Sequence, residues 1–167
     1  MSKTIGFMIA VTVLLVAGTG AVAFAVGRSM GDGQSRQDTV AARGASVMPF
    51  DQNLTTHAFE QTVTGGVETV TANDAADTAQ VDLIRSHLKK EAELFSHGDF
   101  SDPAAIHGMQ MPGLAELSAG AARLRIQFEQ LPAGARLNYA SDDPSLIDAL
   151  HRWFQAQLSD HGSHAHA

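Results

Sequence analysis

Cysteine is absent from all 167 residues. That excludes disulfides, thiolate catalysis, CxxC redox chemistry and cysteine-held zinc or iron–sulfur centres. Basic charge is also scarce: 11 Lys and Arg stand against 18 Asp and Glu, and the net charge of −7 argues against a nucleic-acid partner. No GxSxG elbow, Walker-type GxxxxGK[ST], GxGxxG or HExxH is present, so the chain carries no enzyme signature. Asp99, Asp102, Asp142 and Asp143 fall in turn and cap contexts, where helix capping accounts for them. With 44% hydrophobic and 17% charged residues, the composition is near the globular average and the length suits about one domain. Eight histidines and six methionines remain as the soft or borderline metal donors.

Residues 5–26 form a run of 22 residues without a charge, between Lys3 and Arg28. The run is long enough to cross a bilayer as one helix. It also parses as a signal peptide, with a basic start, an apolar centre and the small-residue triplet Ala21-Val22-Ala23. Either way, export is expected, to the bacterial periplasm or the outer face of the inner membrane, secreted or anchored through this segment. Residues 27–47, rich in Gly, Ser, Gln and Arg without an apolar period, read as a flexible linker. A folded domain is expected over 48–160 and a His-rich tail over 161–167.

Within the domain, residues 55–63 and 67–72 flank Thr64-Gly65-Gly66, a hairpin signal. Val81, Ile84, Leu88, Ala92 and Phe95 then recur at helical spacing. Two short helices are expected at Asp102-Pro103 and Met111-Pro112, each with proline at its first position. Residues 123–129 alternate polar and apolar and turn at Pro132-Ala133-Gly134 into a second hairpin. A final helix follows Asp143-Pro144, with Leu146, Ile147, Leu150, Trp153, Phe154 and Leu158 on its buried side. Phe59-Glu60-Gln61 and Phe128-Glu129-Gln130 lie 69 residues apart, as do Gly65 and Gly134, and a shift of 64 superposes His87 on His151. The expectation is an α+β fold of tandem ββα halves: a four-stranded antiparallel sheet with two long helices on one face, plus the N-terminal hydrophobic helix.

Three sets of residues carry candidate chemistry. His107, Met109 and Met111 sit in a glycine-rich bend, where an imidazole and two thioethers suit Cu(I); the alternative is that both methionines pack and His107 caps its helix. His161, His164 and His166 can wrap a divalent first-row cation, or simply adjust charge near neutral pH. His87 and His151, one on each long helix, can face one another as metal or haem ligands, joined by His57; each is otherwise a half-buried packing residue.

The stretches Met48-Pro49-Phe50, Thr56-His57-Ala58-Phe59, residues 98–108 from Gly98-Asp99-Phe100 through Ile106-His107-Gly108, Met111-Pro112-Gly113-Leu114 and residues 151–162 from His151-Arg152-Trp153-Phe154 through Asp160-His161-Gly162 carry a resemblance. Over residues 48–162 the chain resembles a group of short bacterial proteins that sometimes bear the label aspartate carbamoyltransferase. The Ser-Thr-Arg-Thr and His-Pro-x-Gln segments of a transcarbamoylase are not present. The resemblance implies a small domain with recurring His-rich motifs. The expected function is an exported or tethered transition-metal domain, with copper the favoured ion, for carriage, buffering or sensing. Non-covalent haem binding through histidine, and a tethered module docking a membrane protein complex, are the alternatives.

Overall fold

The computed structural model describes residues 33–167, so the candidate signal or membrane segment lies outside the described residues. Two compact units are distinguished, Met1–Arg36 and Gln37–Ala167, of which the first is described only as helical over 33–36. Among the described residues no helix is long and apolar enough to cross a membrane.

The second unit is α+β. Residues 37–47 are helical (α1), where composition alone suggested a linker. Val40, 3% exposed, anchors this helix, and Gln37 Nε2 donates to the carbonyl of Ser159. A single buried valine is a weak periodic signal, so tertiary contact supplies what the pattern lacks. Then come β1 (Thr55–Thr62), β2 (Gly65–Ala72), α2 (Thr78–Ser96), α3 (Ser101–His107), α4 (Leu114–Gly120), β3 (Arg125–Leu131), β4 (Gly134–Ala140), α5 (Pro144–His161) and β5 (Ala165–His166). Asp77 caps α2 by accepting from Gln80 N, and Asp143 caps α5 by accepting from Ser145 N.

The sheet is five-stranded and mixed, ordered β3-β4-β2-β1-β5, and so differs from the four antiparallel strands expected. The difference is β5, which runs parallel to β1 with His57 opposite Ala165 and Ala58 opposite His166. Ala-His carries almost no strand signal; the unpaired edge of β1 supplies the hydrogen-bonding partners. The two hairpins share one register. Phe59 faces Glu68, and 69 residues later Phe128 faces Leu137. Strands β2 and β4 join the halves antiparallel, with Glu68 opposite Leu137. Helix α2 packs chiefly on β3 and β4, whereas α5 packs on β1 and β2, so each long helix covers the other half's hairpin.

Both helices lie on the sheet face formed by His57, Phe59, Glu68, Val70, Leu137 and Tyr139. The stripe on α2 is Val81, Ile84, Leu88, Glu91 and Phe95, and on α5 it includes Leu146, Leu150, Trp153, Gln157 and Asp160. Five of those sheet and helix positions are polar, which is unusual for a core and must be explained by partners or by function.

Candidate functional site

Four of these five polar positions, all but Asp160, gather on one cavity of about 50 Å³ between sheet and helices. His57 and Glu68 reach it from β1 and β2, His87 and Glu91 from α2, His107 from α3, and Trp153, Gln157 and His161 from α5. Met48 adds a thioether to the wall. The repeat makes the departure visible: Ile126 and Leu137 occupy in the second hairpin the positions that His57 and Glu68 occupy in the first. Ionisable side chains therefore replace hydrocarbon where the sheet meets the cavity.

Three imidazoles are contiguous. His57 stacks on His161 with ring centres 4.9 Å apart and planes 12° from parallel, and His107 meets His161 edge-on at 5.1 Å. Asp160 accepts a 2.9 Å hydrogen bond from His107 Nδ1–H, which fixes the ring's orientation. Phe50 separates this group from His87, with ring centres 6.0 Å from His57 and 5.6 Å from His87. Burial pushes His57 down to about 4, reinforced by His87, His164 and His107. Burial likewise pushes His87 down to about 4, and holds His161 well below the usual imidazole range. All three are neutral near pH 7, the protonation state a metal requires of a histidine.

The carboxyls respond in the opposite sense. Burial raises Glu68 to about 7 against the opposing hydrogen bond from Tyr139, whose hydroxyl donates to Glu68 Oε2 at 2.8 Å. Burial, followed by neighbouring Asp102, raises Glu91 to about 9. Glu91 is thus a protonated acid at neutral pH. At the rim Lys90 pairs with Asp102 at 2.9 Å.

Buried side-chain atoms without a hydrogen-bond partner are His57 Nδ1, Glu91 Oε1, Trp153 Nε1 and Gln157 Oε1 among the described residues. All four belong to residues on the wall of this one cavity. Convergence of orphaned polar atoms and displaced pKa values on one cavity marks a candidate functional site.

The residues selected from sequence divide accordingly. His57, His87, His107 and His161 come together on the cavity. His107 and Met111 are each 5% exposed, but Met111 is in the hydrophobic core and off the cavity wall, and Met109 is 76% exposed. His151 lies elsewhere: its Nε2–H is shared between the carbonyls of Gly65 at 2.8 Å and Thr62 at 3.1 Å, tying α5 to the first hairpin. His164 and His166 are exposed, the latter within β5. Among the described residues, no group of three or more His, Asp or Glu side chains is arranged to hold a metal ion as it stands. Glu68, Glu91 and Gln157 were not singled out from sequence, and Met48 entered only through the Met48-Pro49-Phe50 stretch of the resemblance. The signal lay in spacing, since the 3-4-3-4 stripe of α2 runs through Glu91, one residue before Ala92.

Comparison with protein-family models, with curated proteins and with solved structures finds no match to this chain.

Proposed function

We propose that this domain binds a soft, monovalent transition-metal ion, Cu(I) first, inside the cavity, through the imidazoles of His57 and His161 with His107 and the thioether of Met48 beside them. The observation that carries this reading is the contiguity of three imidazoles from β1, α3 and α5 around one cavity, with His57 Nδ1 lacking a partner. The Asp160 carboxylate behind His107 is the kind of partner that orients a metal-ligating ring.

Charge decides the oxidation state. Glu68 and Glu91 on the wall are held toward their neutral forms and the third acid there, Asp102, is already paired with Lys90, so no free countercharge stands by, and the desolvation cost of a dication is about four times that of a monocation of like size. Imidazole with thioether suits Cu(I) on donor softness as well. Without three donors gathered in advance, uptake requires the His57 and His161 rings to turn toward a shared ion, and Cu(I) accepts as few as a pair of donors. A haem is far larger than a cavity of about 50 Å³. A chain without thiols that handles copper outside the cytoplasm relies on such donors, so the role proposed is carriage, buffering or sensing by an exported or tethered domain.

Anaerobic titration of the full chain with Cu(I) against a chromophoric chelator tests this. One ion per chain is expected, lost in His57→Gln/His161→Gln, weakened in Met48→Leu and retained in Met109→Leu and in His164→Ala/His166→Ala. Failure of the wild-type chain to take Cu(I) from the chelator, or equal affinity in the His57/His161 variant, overturns the reading.

A further inference from the structure

Other residues lining the same cavity have a different character. Trp153 and Gln157 are 1% and 5% exposed and lie one turn apart on α5; Glu91, 5% exposed, reaches the cavity from α2. Trp153 Nε1 is a donor only, Gln157 Oε1 is an acceptor, and Glu91 Oε1 belongs to a carboxyl whose hydrogen bond to Asp102 leaves that oxygen without a partner. Glu68 is not available in the same way, because Tyr139 already donates to it.

We propose that the Glu91–Trp153–Gln157 wall is a subsite for a compact uncharged molecule bearing a hydrogen-bond acceptor and donor on neighbouring atoms, the primary amides being its simplest members. The amide oxygen accepts from the Trp153 indole N–H, while the amide N–H₂ donates to Gln157 Oε1 and Glu91 Oε1. Three groups whose burial is otherwise uncompensated are satisfied together.

Size and charge narrow the class. A single water occupies about 10–15 Å³ on the same measure, so about 50 Å³ admits a guest of three or four heavy atoms. No Lys or Arg lines the cavity, which leaves an anion without a countercharge. An organic cation of this size lacks a free carboxylate to meet, since burial holds Glu91 and Glu68 toward their protonated forms and Asp102, the remaining acid on the wall, is already paired with Lys90. This subsite does not depend on a metal at the imidazole wall.

The experiment uses Trp153 itself, the chain's one tryptophan. Its indole N–H gives a single ¹H–¹⁵N cross-peak in the labelled full chain, and formamide, sodium formate and N,N-dimethylformamide are titrated against it. Formamide is expected to move the peak saturably, with a dissociation constant of about millimolar for three heavy atoms. Formate, charged, and dimethylformamide, without a donor and larger, leave it in place. Gln157→Met, matched in shape, weakens formamide at least tenfold. If that variant does not fold, Trp153→Phe is read instead by saturation transfer to the formyl proton of formamide, with the same loss expected. A peak that stays fixed, that drifts linearly and alike in wild type and Gln157→Met, or that keeps an undisplaced water cross-peak at saturating formamide overturns the proposal. The last result means water is the only occupant.

Discussion

His107 Nδ1 and Asp160 Oδ2 lie 2.9 Å apart across a sequence separation of 53 residues, with side chains only 2% and 3% exposed. The bond ties the end of α3 to the last turn of α5 and sets the plane of a ring that meets His161. A polar pair this deep is costly to break from one side, because the remaining group keeps its burial and loses its partner. Asp160→Ala is therefore expected to destabilise the chain by about 3 kcal/mol, as measured by chemical denaturation. A loss below about 0.5 kcal/mol, typical of a surface site, contradicts the arrangement.

Stability should depend on pH in two opposite ways. His57 and His87 are lowered from 6.5 to about 4, so the unfolded chain binds more protons between those values and stability falls as pH drops through that range. Glu68 and Glu91 are raised from 4.5 to about 7 and about 9, so the folded chain holds the extra protons and stability falls as pH rises. Above pH 6.5 the histidine contribution is complete and only the acids act. Denaturation midpoints should decline between pH 7 and 9 with a slope near one proton, about 1.4 kcal/mol per pH unit, and Glu91→Gln should flatten that decline. An unchanged alkaline slope in Glu91→Gln rules out Glu91 as the buried acid responsible.

Two left-handed glycines near the site differ in their surroundings. At Gly113, with φ of +80°, an added Cβ runs into the Ala149 carbonyl oxygen; at Gly108, with φ of +97°, it meets nothing within 4 Å. Gly108→Ala should cost about 1 kcal/mol from backbone conformation alone. Gly113→Ala adds a backbone clash against α5 and should cost about 3 kcal/mol or more. Equal thermal shifts for the two variants contradict the close approach of this loop to α5.

Much of the fold was legible because its elements obey simple periods. Residues 123–129 alternate strictly, and Asp143-Pro144 announces a helix start that the structure places at Pro144. The common register of the hairpins follows from the matched Phe59 and Phe128 positions. Helix α1 and strand β5 were not legible, since each is held by contact and edge pairing with almost no pattern of its own. Half of the candidate site was legible as well, because four of its wall residues are histidines. Glu68, Glu91 and Gln157 were not, as acids and amides are abundant on surfaces, and only their positions within apolar stripes distinguish them. Met109 and Met111 are adjacent in pattern but divergent in space because the Gly108 and Gly113 turns send one outward and one into the core.

A methionine exchange separates the sequence pattern from the three-dimensional one. Met109→Leu should leave folding stability and Cu(I) affinity within error, since the side chain is 76% exposed and off the cavity. Met48→Leu keeps most of the packing volume but removes the thioether from the wall, and is expected to weaken Cu(I) about tenfold with stability changed by less than about 1.5 kcal/mol. The reverse order of effects transfers the metal site to the bend at 109–111.

The most direct measurement records the histidine ring nitrogens by long-range ¹H–¹⁵N correlation in the full chain while Cu(I) is added anaerobically. The His57 and His161 nitrogens are expected to shift together and saturate at one ion per chain, while His151, bonded to the Gly65 and Thr62 carbonyls, stays unmoved. Saturation of the His164 and His166 nitrogens with His57 and His161 unchanged contradicts a metal ion inside the cavity.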